Sequence, residues 1–133
     1  MRKKETLRKF ILHIDGIAAF LVGAALLIFL PYVTKIYSAD RGIIEFIGAS
    51  NLVFSAYSLW LAFFATRTVP KINFLVIANT CWCINCIVML VNLYASSSPL
   101  LRAHISLEGA FVASLAFFEY KNRNYLAQKK TAN

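Results

Sequence analysis

Charge is what this sequence has least of. Only 15% of the 133 residues are Asp, Glu, Lys or Arg and 59% are apolar or aromatic, against about 25% and 45 to 50% in a water-soluble domain. That excess excludes intrinsic disorder and an ordinary soluble globule, and five glycines with no three-residue period exclude a collagen-like fibre. The three prolines, Pro31, Pro70 and Pro99, stand at or between the ends of apolar runs. No phosphate-binding loop, nucleophile elbow or His-Glu-x-x-His pair is present. No enzymatic activity is therefore expected.

The charge that is present is one-sided, with a formal net charge of +8. Nucleic acid is one partner for a basic chain, but here the basic residues flank apolar blocks, and no nucleic acid is expected. The lipid bilayer and its anionic head groups fit better. The length allows a single domain, residues 1–133.

Four apolar runs span residues 10–33, 43–65, 72–95 and 100–120, together 92 of 133 residues. A hydrocarbon core about 30 Å thick takes about 20 helical residues, and only helices or closed barrels satisfy every backbone polar group in lipid. Barrel strands would alternate with period two, which these runs do not. The predicted fold is all-α, four transmembrane helices in an antiparallel bundle, because the links between runs are short. The first run is too long for a signal-peptide core of 7 to 15 residues and is read as a retained helix.

Lys and Arg set the expected orientation. The N-terminal tail carries five, the second link two and the C-terminal tail four, 11 in all; the first and third links carry Lys35, Arg41 and Arg102. By the positive-inside rule both termini face the cytoplasm, and Tyr32, Tyr37, Tyr94, Tyr120 and Tyr125 fit an interfacial belt.

Ionisable residues inside a span are functional hypotheses by default. Asp15 stands about five residues into the first run, roughly 7 Å at 1.5 Å per residue, and Glu45 stands near the opposite interface. Glu108 is about eight residues into the last run, beside Gly109 and Ala110. It is a carrier for a proton during transport or a hydrogen-bonding group between helices. His13 and His104 sit at opposite depths, about 20 Å apart by helix rise, so one haem cannot join them. Cys81, Cys83 and Cys86 lie mid-span, where cysteine behaves as a small hydrophobe. No haem, metal or other cofactor is expected.

The third run carries Asn73, Asn79, Asn85 and Asn92, and amides in lipid seek partners on neighbouring helices. Gly16, Ala19, Gly23, Gly48, Gly109 and Ala113 allow close helix approach. Counting rise from each helix start places Asn51, Asn85 and Glu108 at one level, and Asp15, Ser58 and Asn79 at another. Gly48, Asn51, Ser55 and Ser58 form one stripe expected to face the interior, with a neutral Glu108 donating to Asn51 or Asn85. Asp15, Asn51, Asn79, Asn85 and Glu108 are the candidate polar site.

The pattern Asp15-Gly16, Gly23, Pro31, Ile47-Gly48, Leu59-Trp60-Leu61-Ala62, Asn79-x-x-Trp82 and Glu108-Gly109 with a basic tail resembles a broad group of small uncharacterised bacterial four-span membrane proteins. The resemblance implies the four-helix layout and a bacterial inner (plasma) membrane; it supplies no activity. Members of that group carry an acid where Asn79 stands, a departure in this chain. The leading expectation is a non-enzymatic accessory or partner-binding subunit, with a second copy or another membrane protein as partner. The alternative is a small proton-coupled transporter or channel using Asp15 or Glu108. An aqueous cavity reaching Glu108, or proton-dependent flux in liposomes, distinguishes the two.

Overall fold

The computed structural model describes the backbone of residues 2–127 and the side chains of residues 10–127. The side chains of Arg2, Lys3, Lys4, Arg8 and Lys9, and the whole of Lys129 and Lys130, all counted above for orientation, lie outside the described residues. Five helices follow in order: α1 (Arg2–Ile28), α2 (Leu30–Tyr37), α3 (Arg41–Phe63), α4 (Val69–Leu93) and α5 (Pro99–Ala127). Strands are absent among the described residues. Four helices hold stretches long and apolar enough to cross a membrane, Phe10–Ile28, Arg41–Phe63, Val69–Leu93 and Pro99–Ala127.

The first apolar run, expected as one helix over 10–33, is broken at Phe29. Pro31 has no N–H to give to the preceding turn and its ring crowds the carbonyl four residues back, so the chain restarts with Pro31 in the first turn of α2. α2 ends at Ser38, whose left-handed backbone (φ 49°) turns the following Ala39 N–H back to the carbonyl of Thr34 at 3.3 Å. Pro70 opens α4 in the same way after the extended Thr68. At the start of α5 the Ser98 hydroxyl accepts from the Leu101 N–H at 3.3 Å, a serine N-cap. α5 continues past the apolar run, which ends at Tyr120, to Ala127.

The helices pack as two intimate pairs, α1 with α3 and α4 with α5, joined by sparser contacts. Small residues set the first pair: a Cβ on Gly23 would stand 2.7 Å from the Gly48 carbonyl oxygen, so the backbones nearly touch. Gly109 lies against Cys86 in the second pair. Two apolar clusters cap the interior, one around Leu30, Ile44, Trp82, Leu101 and Ile105 near α2, the other around Leu12, Leu61, Ile72, Leu75 and Leu126 near the termini.

Polarity is inverted relative to a soluble fold. Phe64, Val53, Val91, Ile77 and Leu107 are exposed, whereas Asp15, Asn51, Ser55, Ser58, Asn79 and Glu119 are buried. An apolar exterior, with the polar side chains gathered inside among apolar clusters, is what lipid as solvent requires. The protein is thus an all-helical membrane protein.

Candidate functional site

The polar interior divides into two clusters, one toward α2 and one toward the chain termini. On α5, Glu108 and Glu119 are eleven residues apart, about 16 Å of helix rise.

The α2-side cluster is centred on Glu108. Its Oε1 accepts from Asn51 Nδ2 at 2.7 Å and from Trp82 Nε1 at 2.8 Å, while Oε2 is 2.9 Å from Nε2 of His104, one turn earlier on α5. His104 Nδ1 in turn meets the Tyr37 hydroxyl at 3.1 Å. With a neutral imidazole, the tautomer that satisfies both contacts carries its proton on Nε2, donates to Glu108 and accepts from Tyr37. Burial, with the Glu108 charge adding to it, pushes the Tyr37 phenol above its ordinary range, which keeps it a donor. The expectation that Glu108 donates to Asn51 is therefore reversed: Glu108 accepts, and it has a basic neighbour in His104. A carboxylate with three donors can stay charged where an isolated one could not.

The terminus-side cluster draws on all four long helices. The Ser58 hydroxyl on α3 donates to Asp15 on α1. Asn79 Nδ2 on α4 donates to Glu119 Oε2 on α5 at 3.1 Å, and the same amide faces Asp15. Glu119 is wholly buried and its Oε1 has no hydrogen-bond partner. One turn from Ser58, Ser55 donates to the Gly16 carbonyl at 2.8 Å. The stripe of Gly48, Asn51, Ser55 and Ser58 faces inward and all four are buried.

A cavity of about 250 Å³ connects the clusters between α1 and α5. Asp15 from one cluster and Asn51, His104 and Glu108 from the other line it, with Ala19, Val22 and Val112 between. Leu107 and Phe111, whose side chains are exposed, also line it.

Not every candidate is gathered in. Asn85 joins neither cluster, and its Nδ2 is buried without a hydrogen-bond partner. Asn92 is exposed and bonds back to the Val88 carbonyl of its own helix. Glu45 pairs with Arg41 at 2.7 Å on the exposed start of α3, where an ion pair contributes little. His13 packs edge-on against Phe63, away from His104. Cys81 is exposed, Cys83 half-buried and Cys86 buried. Glu119 and the His104–Glu108 pair are additions to the sequence-based set. Glu119 continues the buried row of Val112, Leu115 and Ala116, a helical periodicity visible in the sequence.

Comparison of the chain with protein-family models, with curated proteins and with solved structures gave no match.

Proposed function

We propose that this protein is a small proton-coupled membrane transporter in which Asp15 and Glu108 face a common cavity. The observation that carries this reading is the cavity itself, because it reaches Glu108 from one cluster and Asp15 from the other. A protein whose polar groups served only to hold helices together would need no space between them. The accessory-subunit reading has no comparable feature in its favour.

The two-pair packing supports the same reading. Alternating access commonly works by rocking one helix bundle against another around a fixed site. The cavity lies between α1, α3 and α5, which belong to different pairs. The weaker inter-pair contact lets the cavity open and close without breaking either pair. Both termini are taken as cytoplasmic, on the 11 to 3 distribution of Lys and Arg. The role is non-enzymatic, since no nucleophile, metal set or catalytic acid–base pair is needed to move a solute.

The test is flux in proteoliposomes carrying a pH gradient and a lumenal pH-sensitive dye, against a panel of small organic cations, anions and neutral solutes. The native chain is expected to dissipate the gradient only when a particular solute is added, and Asp15→Asn to abolish that response. No solute-dependent dissipation across the panel would overturn the reading.

A further inference from the structure

Asp15 and Glu119 are both buried, at 5% and 0% exposure, the Asn79 side chain lies against both, and together they present four oxygen atoms. The donors facing them are the Ser58 hydroxyl and the Asn79 amide. Among the described residues no Lys, Arg or His forms an ion pair with either acid. On α1, His13 is nearest in sequence, but it lies against Phe10 and Phe63. At the end of α3, the Arg67 guanidinium donates to the carbonyls of Leu61 and Ala62. On α4 and α5 the polar members are Asn79 and Glu119 themselves.

We propose that Asp15 and Glu119 form a two-carboxylate site that binds a single proton between them. Two negative charges held close together away from water repel each other strongly, and each also loses its hydration, at several kcal/mol per ion. One proton removes one charge and converts an acceptor into a donor. Glu119 Oε1, buried and without a hydrogen-bond partner, is the atom on which that proton completes the cluster. Binding takes the pair from two negative charges to one, and release restores them; no other bond changes. Asn79, bonded to Glu119 and facing Asp15, holds the two acids in register.

The members differ in access. Asp15 lines the cavity, whereas Glu119 does not and is sealed on every side. The proton therefore enters and leaves through Asp15, while Glu119 keeps it from being lost to the apolar surroundings. This assigns the coupling proton to the terminus-side cluster and leaves Glu108, held by its three donors, as the fixed wall of the cavity. The inference rests on the transport reading for its use, though not for its chemistry.

The experiment is infrared spectroscopy of the full chain in liposomes, following the stretch of protonated carboxyl groups across a pH titration. The native protein is expected to show a protonated carboxyl at neutral pH that is lost in a one-proton step as the pH rises. This measurement needs no variant, and absence of the band at neutral pH overturns the proposal. Asp15→Asn and Glu119→Gln, nearly isosteric, are each expected to move the midpoint by about one pH unit or more. The double variant should lose the step. Midpoints that ignore the partner's substitution would show independent acids and overturn it as well. So would loss of the band on adding sodium at constant pH and ionic strength, which would make the site one for a metal ion. An intact, coupled step in a protein that shows no flux sustains the shared proton and removes the transport reading. Solute-driven flux without the step does the reverse.

Discussion

Asn51 reaches from α3 to within 2.7 Å of Glu108 on α5, joining residues 57 apart in sequence and one helix pair to the other. The same Asn51 amide also lies 3.0 Å from the Ile47 carbonyl of its own helix, so its two N–H groups are both used. The link is therefore rigid on the α3 side and depends on Glu108 on the other.

Glu108→Gln is expected to fold with little loss. The Gln oxygen can keep the Asn51 and Trp82 bonds, and its amide can donate to His104 once the imidazole changes tautomer. Glu108→Leu leaves the Asn51 amide, the Trp82 indole and the His104 ring without their acceptor, and should destabilise by about 3 kcal/mol. Thermal unfolding in detergent, run on both variants, distinguishes them; equal losses would show that the carboxyl charge, rather than hydrogen-bond acceptance, is what matters.

Tyr37→Phe removes the hydroxyl partner of His104 and should cost about 1 kcal/mol. It should also change the alkaline limb of stability. Burial raises the native phenol above its ordinary value near 10, so its contribution is complete below that value and is lost as the pH rises through the raised native one. The variant should lack this component of the decline, measured as the unfolding midpoint between neutral pH and the alkaline limit. An unchanged alkaline slope would show that the phenol makes no such contribution.

Gly23→Ala should weaken the α1–α3 pair by about 1 to 3 kcal/mol, the usual consequence of overpacking, because the new methyl would stand 2.7 Å from a backbone oxygen. Gly42→Ala, in the first turn of α3, meets only the Asp40 carboxylate at 3.2 Å and should be neutral or slightly stabilising. Comparing their unfolding temperatures measures the close approach against the helix-propensity gain common to both.

Orientation is checked by a reporter fused after Asn133. Activity confined to the cytoplasmic side is the expected outcome, and activity confined to the outer side would reverse the assignment drawn from Lys and Arg.

Much of the architecture was legible because lipid leaves few choices: an apolar run of 20 or more residues must be a helix. The inward stripe of α3 was legible for a related reason, since Gly48, Asn51, Ser55 and Ser58 recur at helical spacing and polar groups avoid lipid. The helix ends were harder. Pro31 broke the first run inside its apolar stretch, where hydropathy carries no signal. Glu119 stands one residue before the apolar run ends at Tyr120, where hydropathy gives no sign of burial. In fact α5 runs on to Ala127 and buries Leu126, which draws Glu119 inside. His104 and Glu108, four residues apart, were adjacent on one helix face all along. The depth of His104 bears on a haem only when set against His13, and it is the four-residue spacing to Glu108 that carries the pair. Asn85 shows the opposite limit: rise alone gives a level along the axis, but not the rotation that decides which neighbour a side chain meets.

The break at Phe29 also fixes how the first span sits in its solvent. Phe10–Ile28 is 19 residues, about 28 Å of helix, close to the roughly 30 Å of an average hydrocarbon core. Had the run continued straight to Val33 it would have been about 36 Å long and would have had to tilt or stretch the surrounding lipid. The break at Phe29 instead ends the first span at Ile28 and gives the remaining apolar residues to the short helix α2. Phe10–Ile28 is the shortest of the four spans, so a thicker, sterol-rich membrane would strain the protein first at this helix.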